Sequence, residues 1–201
     1  MWVVKLGGSL MGTPELKSWL DVIAKHGDGR VVIVPGGGIY ADAVREAQRI
    51  AQFDDAAAHH LALLAMEQYG LTMEALQPEL ATASSELEIS ERSWQHRGIL
   101  WLPCSMVLAE DDIPKTWDVT SDSLAAWLAR KINASRLLLV KHEGVAEGTA
   151  LDQLAKDGVV DPAFPAFAAG LEGRFRIVGK DGYAEVERVL TSALQPPRAV
   201  H

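Results

Sequence analysis

Short apolar runs alternate with helical patterns along most of the chain. Five of these runs are too short for helices and rich in Val, Ile and Leu, and they cover residues 2–6, 31–34, 98–102, 137–140 and 175–178. Fully apolar strands separated by helices are typical of a parallel sheet that is covered on both faces. The pattern therefore predicts an α/β fold, a three-layer α/β/α sandwich with a mainly parallel central sheet.

Apolar residues recur at helical spacing between these runs. Helices are predicted at 14–24, 39–51, 55–70, 121–132 and 183–193. Thr13 and Pro14 are an N-cap and a first helical residue, and Gly70 is expected to end the third helix. Residues 72–97 have no clear periodicity. We expect one domain over residues 1–195 and a frayed tail at 196–201.

Composition and charge exclude several classes of protein. The chain has 201 residues and a formal net charge of −8, which argues against broad binding to nucleic acid or to an anionic membrane. Cys104 is the single cysteine, so an internal disulfide and a zinc site built on several thiolates are excluded. No apolar stretch is long enough for a membrane helix and no signal peptide is recognised, so a cytoplasmic location is expected.

Two glycine-rich segments directly follow the first two predicted strands. Lys5 comes just before Gly7, Gly8 and Ser9, and Pro35 is followed by Gly36, Gly37 and Gly38. Backbone amides of glycine can approach phosphate oxygens closely, and a helix start and a lysine add favourable charge. Each segment alone could also be a tight turn between a strand and a helix. Together they favour a phosphate site, although neither matches the Walker or the Rossmann pattern.

A third polar segment, residues 117–126, precedes a predicted helix. Its hydroxyl and carboxylate groups are suited to capping that helix. Asp122, at the helix start, could in addition hold lysines by charge-assisted hydrogen bonds.

These three segments, in this order, resemble the amino acid kinase superfamily. The matching motifs are V-V-K-L-G-G-S at the start, V-I-V-P-G-G-G about thirty residues later, and T-S-D-S-L-A-A at the helix start. The resemblance runs from Val3 to about Leu190. It implies the amino acid kinase fold and transfer of a phosphoryl group from ATP.

Two further segments point to a branch of that superfamily. Lys141, in V-K-H-E-G-V, occupies the position of a lysine in the uridylate kinases, and Gly144 follows it in the same motif. Residues 160–167 are similar to the V-M-D-L-x-A-F pattern of the same kinases and carry no lysine, unlike the carboxylate kinases. A phosphate acceptor is therefore favoured over a carboxylate or amino-acid acceptor, which stays an alternative.

The predicted third helix resembles a narrower group. Its residues A-H-H-L-A-L-L-A-M-E-Q-Y-G are similar to a helix of the kinases that phosphorylate aminomethylfuran-methyl phosphate in methanofuran biosynthesis. His59 and His60 point in different directions on a helix, so one at most faces an acceptor, and they cannot converge on a metal. We assign His60 to the acceptor and predict no protein-bound metal.

The resemblance thus implies an ATP- and Mg²⁺-dependent kinase acting on a small-molecule phosphate monoester, with no nucleic-acid or membrane partner and as a homo-oligomer. The implied catalytic residues are Lys5, Lys141 and Asp122. The implied nucleotide-binding residues are Gly7, Gly8, Ser9 and Gly144, and the implied acceptor-binding residues are Gly36, Gly37, Gly38 and His60. A G-T-x-I element that many members carry near the C-terminus is missing. A non-catalytic binding or storage protein with the same fold is therefore an alternative.

Overall fold

A computed structural model describes residues 1–146 and 148–192. In these residues six strands form one parallel sheet in the order β3-β4-β2-β1-β5-β6. The strands are β1 (Trp2–Leu6), β2 (Val31–Pro35), β3 (Ala81–Ala83), β4 (Ile99–Trp101), β5 (Arg136–Val140) and β6 (Phe175–Val178). The predicted parallel sheet is confirmed.

Nine α-helices accompany the sheet within the same residues. They are α1 (Pro14–His26), α2 (Gly38–Ala51), α3 (Asp55–Leu76), α4 (Glu86–Trp94), α5 (Cys104–Leu108), α6 (Ser121–Lys131), α7 (Leu151–Lys156), α8 (Phe164–Phe167) and α9 (Tyr183–Ser192). A 3-10 turn covers Gly8–Leu10 directly after β1. The Thr13 cap of α1 forms as predicted, because its hydroxyl accepts a hydrogen bond from the Leu16 N–H.

Alternate strand residues build two separate cores, one on each face of the sheet. Val3 packs with α6, represented by Leu124, whereas its neighbour Val4 packs with α1 and α9, represented by Trp19 and Leu190. Successive side chains of a strand point to opposite faces, so a strand between two helical layers must be apolar throughout. The predicted three-layer sandwich is therefore confirmed.

The structure corrects two predictions about the middle of the chain. Helix α3 does not end at Gly70 but continues to Leu76. A Cβ at Gly70 would lie only 3.2 Å from side-chain atoms of Leu102 and Pro35, so this glycine serves close packing against the sheet. The unpatterned stretch 72–97 contains β3 and α4. Strand β3 escaped prediction because three residues with the sequence Ala-Thr-Ala carry little strand propensity.

The predicted domain end at residue 195 and the tail at 196–201 lie outside the described residues. Among the described residues, no helix combines the length and the apolar character that a membrane crossing demands.

Tyr69 on α3 is fully buried, and its hydroxyl finds no hydrogen-bond partner among the described residues. We expect Tyr69→Phe to raise the free energy of unfolding by about 1 kcal/mol, because a buried hydroxyl without a partner keeps its full desolvation cost. Tyr40→Phe is the matched control, since the Tyr40 hydroxyl lies 2.9 Å from Thr72 Oγ1. It should lower stability by about 1 kcal/mol. Urea unfolding measures both, and equal signs would contradict this interpretation.

Candidate active site

The strand order brings the three polar segments together at one edge of the sheet. Strand β1 lies between β2 and β5, so the loops that follow these three strands are neighbours. Helix α6 packs across β1 and β5, and its first turn reaches the same edge. Ligands of open parallel sheets collect at the carboxyl ends of the strands. The candidate site is therefore built from the ends of β1, β2 and β5 and from the start of α6.

Asp122 in the first turn of α6 lies between two lysines. Its Oδ1 is 2.8 Å from Lys5 Nζ, and its Oδ2 is 2.6 Å from Lys141 Nζ. The Lys141 ammonium donates a hydrogen bond to Asp122, and the Lys5 ammonium forms an ion pair with it. Lys5 and Asp122 are each 4% exposed, and Lys141 is half-buried. Two ammonium groups thus share one buried carboxylate.

The pKa values of this cluster reflect burial and the charges of its neighbours. Burial alone would raise the pKa of the Asp122 carboxyl, but Lys5 and Lys141 outweigh it and hold this pKa below its ordinary value. Burial, followed by repulsion from Lys5, lowers the pKa of Lys141 to about 8, despite the attraction of Asp122 and Asp161. A further anion at this point would relieve the repulsion between the lysines.

Asp161 fixes the start of α6 and therefore the position of Asp122. Its carboxylate accepts hydrogen bonds from the N–H groups of Thr120 and Ser123, at 2.9 and 3.0 Å, and from both hydroxyls. The helix is thus capped from a residue about forty positions later, and the Thr120 side chain makes no cap of its own. Sequence analysis noted Asp161 only as part of a pattern and assigned it no role.

The two glycine segments touch each other through their backbones. A Cβ at Gly8 would lie 2.3 Å from Gly38 N, and a Cβ at Gly36 would lie 2.5 Å from Gly8 N. Gly38 has φ +53°, and it begins α2 without a side-chain cap. The glycines are therefore required for the contact between the loops. The first N–H groups of α2 have no acceptor within the helix and point toward the same edge of the sheet.

A cavity of about 500 Å³ lies beside these loops. Gly8, Ser9, Gly37 and Gly38 form one wall, and Thr120 and Ser121 at the start of α6 form another. An apolar part of the lining, next to α3 and the start of α6, consists of Ala62, Leu63, Met66, Val119 and Leu124. Two helix N-termini therefore face one cavity, which favours an anionic ligand.

The outer wall of the cavity carries polar groups that sequence analysis missed. The Arg45 guanidinium lies 4.4 Å from the centre of the Trp117 ring and donates a hydrogen bond to Asp42 Oδ1 at 3.0 Å. The Trp117 indole N–H donates to Gln48 Oε1 at 2.7 Å. Asp42, Arg45 and Trp117 all line the cavity. Asp42 and Arg45 lie one turn apart on α2, just after the glycines, and this spacing was the signal available in the sequence.

The histidine assignment is corrected by the structure. His59 is buried and lines the cavity, whereas His60 is exposed and does not. Burial lowers the pKa of His59, and Lys115 and His60 lower it further. The rotation of α3 about its axis decides which histidine faces inward, and packing sets that rotation.

Three of the expected glycines lie outside the cavity lining. Gly7 donates its N–H to Val140 O at 3.2 Å, and Gly36 donates to Leu6 O at 2.8 Å, so both bind neighbouring backbone. Gly144 is exposed in the loop after β5, and a Cβ there would lie 3.2 Å from Gly179 N. A nucleotide-binding role for Gly7 and Gly144 stays a prediction.

Cys104 does not add a reactive thiolate to the candidate site. Burial and the nearby Glu67 carboxylate raise the pKa of the Cys104 thiol to about 12, so the thiolate is not formed near neutral pH. Over residues 1–146 and 148–192, no group of three or more His, Cys, Asp or Glu side chains is arranged to hold a metal ion.

Comparison with known proteins shows the family of this chain. A model of the amino acid kinase family matches residues 1–146. The [5-(aminomethyl)furan-3-yl]methyl phosphate kinase of Methanocaldococcus jannaschii is 26% identical over 141 residues, which are 69% of this chain and 64% of that protein. The chain therefore spans less than two thirds of the length of this curated relative.

Solved structures share the fold at low sequence identity. Uridylate kinase from Archaeoglobus fulgidus matches with a TM-score of 0.70 and 15% identity, over 94% of this chain and 95% of that one. An isopentenyl phosphate kinase matches with a TM-score of 0.61 and 16% identity, over 96% of each chain. The family match covers most of the chain and includes both glycine segments, Lys5, Asp122 and Lys141. This protein belongs to the amino acid kinase family.

Proposed function

We propose that this protein is a kinase that transfers the γ-phosphoryl group of ATP to an oxygen of a small phosphate monoester. The observation that carries the proposal is the cluster in which Lys5 and Lys141 share the Asp122 carboxylate. These three residues lie outside the cavity lining, but Ser121, the residue before Asp122, belongs to it. Phosphoryl transfer depends mainly on alignment and on neutralisation of spreading negative charge. A preformed pair of lysines supplies that neutralisation without reorganisation during the reaction.

Each part of the site has a role in this proposal. Lys5 and Lys141 neutralise the transferring group from two sides, and Asp122 holds both ammonium groups in place. The backbone N–H groups of Gly8, Ser9, Gly37 and Gly38 donate hydrogen bonds to phosphate oxygens at the cavity wall. Gly7 and Gly144 are assigned to nucleotide binding. Gly36 supports the acceptor-binding glycine segment, residues 36–38, by its contact with Gly8.

ATP and Mg²⁺ are the proposed substrate and metal. The two lysines of the cluster and the start of α2, which has no side-chain cap, fit a nucleotide polyphosphate. Mg²⁺ would be bound chiefly by phosphate oxygens and its own waters, since this ion keeps several waters and needs few protein ligands.

The proposed acceptor carries both a phosphate and a small ring, and aminomethylfuran-methyl phosphate is the specific candidate. The named activity of the Methanocaldococcus relative supports this choice. The cavity agrees with it chemically, because Arg45 offers a cation for phosphate, Asp42 offers a carboxylate for an amine, and Leu63 and Met66 offer apolar surface for a ring. His59 takes the acceptor role that was assigned to His60. A homo-oligomer is part of this proposal.

Arg45→Met tests the acceptor site. We expect KM for the phosphate monoester to rise roughly 10- to 100-fold with little change in kcat, because a charged hydrogen bond contributes about 1.5–3 kcal/mol. Arg49→Met is the matched control, since Arg49 is on the same helix, pairs with Glu46 and is not part of the cavity lining. Steady-state kinetics with a panel of phosphate monoesters measure both, and equal KM values in the two variants would contradict the assignment.

ADP release separates the kinase from the storage-protein alternative. A kinase releases one ADP for each acceptor phosphorylated, whereas a storage protein binds the anion without turnover. Calorimetric binding of ATP and acceptor without ADP release would favour the storage protein. Turnover with carboxylates but not with phosphate monoesters would favour the carboxylate kinase instead.

A further inference from the structure

A second cavity of about 490 Å³ lies at the far end of α6 from the candidate active site. Three elements form it: the last two turns of α6, the segment between α5 and α6, and α8. The side chains that line it include Asp112, Ile113, Trp127, Arg130, Lys131 and Phe167. The two cavities are lined by different residues, and both have the volume of a small-molecule site.

The core holds the apolar walls of this second cavity in place. Ile113 is 3% exposed, and it anchors the segment before α6. The Trp127 ring stacks on the fully buried Trp101, with the ring centres 6.0 Å apart and the planes 29° from parallel. Phe167 is half-buried and packs against the same core. The walls are therefore preformed, and a ligand binds there without first having to order them.

Two opposite charges line the second cavity without neutralising each other. The Arg130 guanidinium and the Asp112 carboxylate are exposed. In the part of the chain that the structure describes, neither side chain forms an ion pair or a hydrogen bond. Lys131 differs, because its ammonium lies 2.6 Å from Glu110 Oε1 and 5.1 Å from the centre of the Trp127 ring. One guanidinium and one carboxylate are thus available to a ligand.

We propose that the second cavity binds a free amino acid with a large apolar side chain, such as phenylalanine or leucine. The α-carboxylate of the ligand binds the Arg130 guanidinium, which matches a carboxylate with two parallel N–H donors. Its ammonium group binds Asp112. Its side chain lies against Trp127 and Phe167, where aromatic rings offer a large apolar contact area.

The charges of the second cavity favour a zwitterion over an ion of one sign. An anion without an amine would lie beside the Asp112 carboxylate, and Lys131 offers it little compensation because Glu110 already neutralises that ammonium. A cation without a carboxylate would meet Arg130 in the same way. A basic residue in the last turn of α6 also complements the helix dipole, but that role involves neither Asp112 nor the aromatic walls.

Calorimetric titration with L-phenylalanine tests this proposal. We expect the natural chain to bind it, and Arg130→Met and Asp112→Asn each to raise Kd roughly 10-fold or more, because each removes a charged hydrogen bond. Both residues are exposed, so the circular dichroism spectrum should not change. Arg188→Met is the matched control, since Arg188 is an exposed residue of α9, which packs on the opposite face of the sheet. Its Kd should equal that of the natural chain.

Three analogues assign each charge of the ligand to its partner. They are 3-phenylpropionate, which lacks the ammonium group, 2-phenylethylamine, which lacks the carboxylate, and glycine, which lacks the side chain. The natural chain should bind each more weakly than phenylalanine. Asp112→Asn should lose the preference for phenylalanine over 3-phenylpropionate, and Arg130→Met should lose the preference for phenylalanine over 2-phenylethylamine.

The titrations contain neither ATP nor a phosphate acceptor, so their outcome is independent of the proposed kinase activity. Absence of phenylalanine and leucine binding would overturn the proposal. Binding that Arg130→Met and Asp112→Asn leave unchanged would place the amino acid elsewhere and would overturn it too. Binding of 3-phenylpropionate as tight as that of phenylalanine would show a site for simple anions and would also contradict the proposal.

Discussion

Lys5→Ala should lower kcat for phosphoryl transfer by 10²–10³-fold. Lys5 is 4% exposed, and its ammonium lies 2.8 Å from Asp122, which directly follows Ser121 of the cavity lining. Removal of one preformed charge contact to a transition state costs about 3–4 kcal/mol. A coupled assay of ADP release with ATP and a phosphate monoester measures the loss.

The variant should fold, because removal of Lys5 leaves Asp122 and Lys141 as a neutral pair. A thermal melt close to that of the natural chain would show this. Lys17→Ala is the control, since Lys17 is an exposed lysine of α1 that pairs with Asp21 away from the cavity. Its turnover should be unchanged. Unchanged turnover in Lys5→Ala would remove Lys5 from the catalytic group and would undermine the proposed function.

Asp122→Asn should destabilise the fold at neutral pH as well as abolish activity. The substitution removes the carboxylate that Lys5 and Lys141 share, and breaking a buried ion pair in this way costs about 3–5 kcal/mol. Urea unfolding at pH 7 measures the loss. Glu46→Gln, which removes an exposed carboxylate paired with Arg49 on α2, is the control and should change stability little.

The stability lost in Asp122→Asn should depend on pH in a defined direction. The pKa of Lys141 in the natural fold is about 8, below its value in the unfolded chain. Between that pKa and about 10.5 the unfolded chain binds more protons, so stability rises with pH. Without Asp122 the pKa of Lys141 falls further, and the rise begins at lower pH. The difference between variant and natural chain should therefore shrink between pH 7 and pH 10, and a constant difference would contradict the charge-repulsion argument.

The Asp122 carboxylate also makes the free energy of unfolding depend on pH in the acid range. The pKa of Asp122 lies below its ordinary value, so its contribution is fully present above the unfolded pKa of about 3.9 and is lost as pH falls through the folded pKa. Asp122→Asn should lack this part of the acid dependence.

Local patterns predicted the strands that carry the site. Strands β1, β2 and β5 are runs of apolar residues that end at Leu6, Pro35 and Val140, and each is followed by glycine or lysine. Such features depend on neighbours in the chain, so the sequence displays them directly. Strand β3 was missed because pairing with β4, and not its own residues, holds it in the sheet.

Contacts between distant segments could not be predicted in the same way. Asp161 caps α6 across about forty residues, and Arg45 meets Trp117 through the packing of a loop on α2. No local pattern encodes such pairs. Sequence analysis therefore found the charged cluster at the site but missed Asp161, which caps α6, and Arg45 and Trp117, which line the cavity.

The sequence by itself determined the layered α/β architecture, the two glycine segments and the candidates Lys5 and Asp122, because these follow from periodicity and from residue chemistry. Lys141 became a candidate through the resemblance to the uridylate kinases. Tertiary structure alone decided that two lysines share one buried carboxylate, that the glycine segments after β1 and β2 touch, and that His59 instead of His60 faces the cavity. The physical reason is that burial and electrostatic repulsion depend on how helices are rotated and packed against the sheet. That packing is settled by the whole core and by no single segment.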